Sequence, residues 1–294
     1  MESFKRGWAF LKQSWQMALK DKDLIKPSIY TLIAGLIVTL ILVIPIGFLT
    51  FLIQNSVFGK VIIYILWAIV IYIQYTVGYV FSAMTVYLIY GYLAEGDGRM
   101  DKAWMIVKRD VWDIASLSAA TTAVNLLTSA VRGRGRSGGR NLLAGLVETI
   151  WTEAAFLILP AMVIEDINLK AGIKRATQII KDNLLLVGIS TVGVKAIVGL
   201  VSFILGALGV GLGLGVGVGI VSISQGSTAG LITGVILGIL IATPFILFAS
   251  IISTYTATAY HTCLYLWARD VERAQLAGET GGVPAPTPLA AALQ

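Results

Sequence analysis

Charge is distributed along the chain in blocks spaced on the scale of a membrane crossing. No charged residue lies between Lys26 and Lys60, between Lys60 and Glu95, or between Lys195 and Arg269. Each interval exceeds the roughly 20 apolar residues a helix needs to cross a hydrocarbon core of about 30 Å. The runs are much longer than the roughly 10-residue alternating strands of a membrane barrel, so the spanning unit is the helix, which satisfies its own backbone hydrogen bonds. The pattern predicts an all-α, polytopic transmembrane bundle with six spans near 27–52, 61–84, 111–131, 141–164, 184–206 and 231–254. As one helix, 61–93 is roughly 50 Å long, so its end tilts or projects beyond the bilayer; the last apolar run has the same surplus. The first run is too long for a signal-peptide core and is expected to stay in the mature protein.

A short motif occurs three times. Lys5-Arg6-Gly7-Trp8-Ala9-Phe10-Leu11-Lys12 aligns without gaps on Asp101-Lys102-Ala103-Trp104-Met105-Ile106-Val107-Lys108 and on Lys174-Arg175-Ala176-Thr177-Gln178-Ile179-Ile180-Lys181. Phe4, Leu11 and Trp15 correspond to Met100, Val107 and Val111 and to Ile173, Ile180 and Leu184, on one helical face. Each copy reads as a basic amphipathic helix suited to the headgroup layer. The chain then divides into an interfacial helix at 1–26, a transmembrane domain at 27–268 and a disordered cytoplasmic tail at 269–294. Within the transmembrane domain the hairpins fall near 27–93, 111–164 and 184–268, with interfacial helices near 98–111 and 168–183. The tail is Gly- and Pro-rich, too poor in apolar surface to fold alone.

The second hairpin carries polar residues, Asp113, Thr121, Thr122 and Asn125, and leads into the basic loop Arg132-Gly-Arg134-Gly-Arg136-Ser-Gly-Gly-Arg140. It either crosses the membrane or lies along it. Segment 206–219 has two interleaved small-residue series, Gly209/Gly213/Gly217 and Gly211/Gly215/Gly219, which suit either a tight helix seam or a flexible outer loop. The hydroxyl-rich helix ends around Ser82, Thr85, Thr256 and Thr258 are expected to bond back to their own helices.

Composition fits this picture: 57% of the 294 residues are hydrophobic and 13% charged, about half the usual charged share of a soluble domain. Lysine and arginine crowd the side that holds both termini, which the positive-inside bias places in the cytoplasm, and the net charge of +6 suits anionic lipid better than nucleic acid. Cys263 and His261 are the sole residues of their kinds, so an intramolecular disulfide and a Cys/His metal cluster are excluded, and a histidine triad is not expected.

Candidate chemistry reduces to charges inside spans, where an unpaired one costs about 2.5–3.5 kcal/mol. Glu148 lies roughly 12 Å below the outer end of its span and Lys195 roughly 18 Å above the inner end of its own, which matches their depths and makes them the expected pair, with Glu153 left over and titratable.

Ser14-Trp15, Asp21-Lys22-Asp23-Leu24, Pro27, Trp151, Pro160, Glu165 and Lys174-Arg175 together resemble an uncharacterised bacterial and archaeal family of multi-span membrane proteins, a domain of unknown function, over residues 4–268. A looser likeness is to sulfate-permease-type and glycerophosphodiesterase membrane-domain-type proteins. These resemblances imply architecture and bring no site residues. The expected function is a non-enzymatic, lipid- or partner-organising protein of the plasma membrane without cofactors, contacting anionic headgroups through Lys5, Arg6, Lys12, Lys102, Lys108, Arg109, Lys174, Arg175 and Lys181. A homo-oligomer or another membrane protein are open as partners. The alternative is a small-solute or ion transporter working through Glu148, Glu153 and Lys195.

Overall fold

Proline and small capping residues set the helix boundaries in the computed structural model, which describes residues 2–133, 138–182, 184–278 and 282–293. The first amphipathic segment is α1 (Glu2–Lys20), followed by a 3-10 turn, Lys22–Leu24, whose N-cap Asp21 accepts from the Asp23 N–H. Pro27 opens α2 (Lys26–Val38), where its missing N–H does no harm. A π-helical turn, Thr39–Val43, precedes Pro45 and α3 (Ile44–Ile53). It accommodates the carbonyl that a proline in mid-span leaves without a partner. Ser56 caps α4 (Val57–Glu95), and Gly96, at φ +81°, ends it in the left-handed conformation that glycine adopts without strain.

Then come α5 (Met100–Arg109), α6 (Val111–Gly133), α7 (Gly138–Glu165), α8 (Leu169–Asp182), α9 (Leu184–Ile223), α10 (Thr228–Leu276) and α11 (Thr287–Leu293). The structure is 91% helical, with no strand among the described residues. Six segments are long and apolar enough to cross a membrane: Lys22–Ile53, Val57–Glu95, Val111–Arg132, Asn141–Glu165, Gly193–Ile223 and Thr228–Leu276. The chain is a polytopic helical membrane protein.

Two environments share these long helices. Large apolar side chains are exposed at 29–69, 142–150, 200–223 and 231–248, forming a distal belt. At the other, basal end the same helices are buried: Leu88 of α4, Ile158 of α7, and Tyr255, Tyr260 and Tyr265 of α10 are at most 1% exposed. There α1, α5 and α8 wrap them as a collar, and α11 packs on both α1 and α10, so the two ends of the chain meet. The surplus length of α4 and α10 is thus basal core.

The threefold repeat carries through to packing. Gly7, Ala103 and Ala176, equivalent in the motif, are all buried, whereas Lys12, Lys108 and Lys181 are all exposed. Each collar helix leans on the unit before its own. Helix α5 packs on α4 of the first unit, and α8 on α7 of the second, where Gly172 meets Ile158 and Met162. The first of them, α1, closes the ring on the third unit: Gly7 abuts Gly193, Phe10 packs edge-on to Tyr260, and Trp15 meets Phe248 and Tyr255.

One open alternative resolves and a second narrows. The 206–219 segment is helix throughout, inside α9. One of its glycine series forms a seam with α10: a methyl group on Gly209 would stand 2.6 Å from the Phe245 Cβ, and one on Gly217 would stand 2.9 Å from the Gly234 carbonyl oxygen. Gly211, Gly215 and Gly219 face open space. The second hairpin runs as α6 and α7, packed on each other and on α4, and Thr121, Thr122 and Asn125 of α6 face protein. Thr121 Oγ1 accepts from Trp151 Nε1 at 3.0 Å and shares a hydrogen bond with the Tyr79 hydroxyl at 2.9 Å, while Asn125 donates to Tyr75. Arg134 and Arg136 of the basic loop lie outside the described residues.

The disordered tail is a correction. Helix α10 runs on to Leu276, and α11 buries Leu289 completely. Trp267 Nε1 donates to the Val283 carbonyl at 3.1 Å, so the Pro-rich stretch is held by a hydrogen bond at Val283 and by the buried Leu289 beyond it.

Candidate functional site

The charged residues of the spans meet in an arrangement that differs from the one their depths suggest. Lys195 of α9 forms its ion pair with Glu153 of α7, and Glu148 is paired with Arg132 at the end of α6. The expected Glu148–Lys195 pair is therefore overturned for two geometric reasons. Glu153 follows Glu148 by five positions, which turns them about 140° apart on a helix, so one faces α6 and the other faces α9 and α10. In addition, the exposed apolar stretch of α9 begins only at Leu200, which puts Lys195 at the basal edge of the belt.

Glu153 has a further partner. Its second carboxylate oxygen lies 3.1 Å from Nε2 of His261 on α10, and Nδ1 of the same ring lies 2.7 Å from the Ala257 carbonyl. Phe156 of α7 stacks on the imidazole at 4.6 Å and 13°, and Tyr260 meets it edge-on at 5.2 Å. Exposure grades across the cluster, from 47% for the Lys195 side chain through 20% for Glu153 to 3% for His261. Three helices from the second and third units are thus joined through one carboxylate at the junction of belt and basal core. His261 is a residue that pattern reading misses: it sits in an uncharged run, and no spacing marks a lone histidine as the partner of a carboxylate 108 positions earlier.

The collar is the second candidate surface, and its nine basic residues divide. Three are engaged within the protein. Lys102 pairs with Glu95 at 3.3 Å. Arg109 holds the buried Asp110 at 2.6 Å and reaches Asp166 at 3.2 Å. Arg175 bridges Glu165 at 3.4 Å and Glu272 at 2.5 Å. Burial works against the charge of Arg175, but hydrogen bonds to Glu272 and Tyr265 and the Glu165 charge outweigh it and raise its pKa further above the ordinary arginine range. The other six, Lys5, Arg6, Lys12, Lys108, Lys174 and Lys181, make no ion pair among the described residues. All but Arg6 are exposed, and Lys108 lies over the exposed Trp104 ring at 5.7 Å. Trp8, Trp104 and Trp112 are exposed on the same basal end, between 45% and 83%.

No group of three or more metal-ligating side chains occurs among the described residues. Comparison of the chain with protein-family models, curated proteins and solved structures finds no match.

Proposed function

We propose that the protein is a non-enzymatic membrane protein that gathers anionic lipid around its basal end, with that end and both termini in the cytoplasm. The observation that carries the reading is the collar: three repeat-related helices each present an exposed lysine at the same position, Lys12, Lys108 and Lys181. In two copies an exposed tryptophan, Trp8 or Trp104, lies four positions before it. Lysine beside tryptophan at the edge of an apolar belt is the side-chain chemistry of a headgroup layer, and each basic residue near an anionic surface contributes about 1 kcal/mol. Most of the described basic residues lie on this end, which supports the cytoplasmic orientation.

The reading is tested with spin-labelled phosphatidylglycerol and phosphatidylcholine in reconstituted vesicles. The wild-type protein immobilises the anionic lipid preferentially, and the triple variant K12E/K108E/K181E loses that preference. Equal immobilisation of both lipids by the wild type would sink it. The alternative, transport through Glu148, Glu153 and Lys195, has less support: Glu148 is tied to Arg132 away from the cluster. Of the hydroxyl-rich helix ends, Thr85 bonds back to the Phe81 carbonyl as expected, whereas Thr256 departs from the expectation, its Oγ1 being buried with no hydrogen-bond partner among the described residues. Solute or ion flux that disappears in both Lys195→Met and Glu153→Gln would reinstate it.

A further inference from the structure

The hydrogen bonds around His261 do not balance unless a proton is added. A neutral ring has one N–H for two facing acceptors, and we place it on Nδ1, whose 2.7 Å contact with the Ala257 carbonyl oxygen is the shorter of the two. Nε2 is then a bare lone pair, and it faces Oε2 of Glu153 at 3.1 Å, which as a carboxylate oxygen also only accepts. Two acceptors at that distance repel, and the ring between them is 97% out of contact with solvent, at 3% exposure, where an unmet polar contact is most costly. One more proton, on Nε2 or on Oε2, turns the repulsion into a hydrogen bond. The other oxygen of Glu153 is already taken by the Lys195 ammonium.

We propose that Glu153 and His261 form a proton-binding site, with Lys195 as the fixed counter-charge, so that the seam between the second and third units carries one exchangeable proton. The groups facing this site are Glu153 and Phe156 from α7, Lys195 from α9, and Tyr260 from α10, which is itself covered by Phe10 of α1. The partly exposed Glu153 and Lys195 give the proton its route to the surface. With the proton in place α7 is bonded to both α9 and α10. When it leaves, the Lys195–Glu153 pair persists and the α7–α10 bond is replaced by two opposed acceptors. The site is independent of the lipid-gathering reading, since none of its residues belongs to the collar surface.

The chain contains a single histidine, so [15N]histidine NMR of the full protein in lipid nanodiscs, purified on a histidine-free tag, reports this ring alone. Between about pH 4 and pH 9, which brackets the ordinary carboxylate and imidazole ranges, Nδ1 stays protonated while the shared proton is lost. The loss is read either as a change at Nε2 or as disappearance of a protonated-carboxyl infrared band. In Glu153→Gln the amide donates permanently to Nε2, and both signatures vanish. His261→Gln provides an amide donor from the opposite side and removes the carboxyl change by a second route, should the first variant not fold. A wild-type protein with neither signature anywhere in that range, or with the same transition in Glu153→Gln, would overturn the proposal.

Discussion

Single side chains fasten this fold at points where the chain turns or helices cross, and several of these are residues of the recognisable motifs. Asp21 accepts from the Asp23 N–H with one carboxylate oxygen and from the Gly98 N–H, at 2.7 Å, with the other. It thereby ties the entry to the first span to the turn after α4, and Leu24 beside it is fully buried. Replacing Asp21 by Ala leaves that N–H pair without its acceptor and is expected to cost about 1–3 kcal/mol, measurable as a lower unfolding midpoint in detergent. Thr121→Val strands Trp151 Nε1 and the Tyr79 hydroxyl in the same way, with a similar loss. An unfolding midpoint unchanged in Thr121→Val would argue against it. These fastenings were not legible beforehand, because a hydrogen bond between positions 21 and 98 or 121 and 151 leaves no periodicity in the sequence. Glu153 shows the same limit: its depth marked it as a charge needing a partner, but which partner depended on the helix face it occupies.

Among the elements, the helices themselves follow from local pattern. Apolar runs bounded by Pro27, Ser56, Gly96 and Ser227 give the first four spans near the expected places, while the fifth lies further along the chain, at Gly193–Ile223 rather than 184–206, because the glycine-rich stretch is helix and belongs to it; the three amphipathic motifs become α1, α5 and α8. Sequence alone did not decide which of two glycine series is used, since both have the same four-residue period. The seam makes opposite predictions for them. A methyl group on Gly234 would stand 2.6 Å from the Gly217 carbonyl, so Gly234→Ala must push α9 and α10 apart and lower thermal stability. Gly215→Ala meets nothing within 4 Å and is expected to stabilise the helix by up to about 1 kcal/mol through propensity alone. Paired thermal scans decide it: equal effects of the two substitutions would remove the seam. Helix α11 makes a third case. Leu289→Ala in a fully buried site is expected to cost about 2–5 kcal/mol if the strap is part of the folded core, whereas an undisturbed midpoint would return the tail to the independent segment its Gly- and Pro-rich composition suggests.

Across the whole molecule, the collar is a ring in which every member rests on a neighbouring unit and the first rests on the last. Helix α1 is the earliest part of this sequence to leave the ribosome, yet the surfaces that bury Gly7, Phe10 and Trp15 lie on α9 and α10. Its permanent seat does not exist until nearly all of the chain has been inserted. The nascent protein therefore has to hold an amphipathic helix on the bilayer surface through the insertion of five spans, and the lysines that face outward from α1 suit it to that wait. The seat of α11, which packs on both α1 and α10, is complete only once α1 has docked, so the two ends of the chain depend on each other for their places.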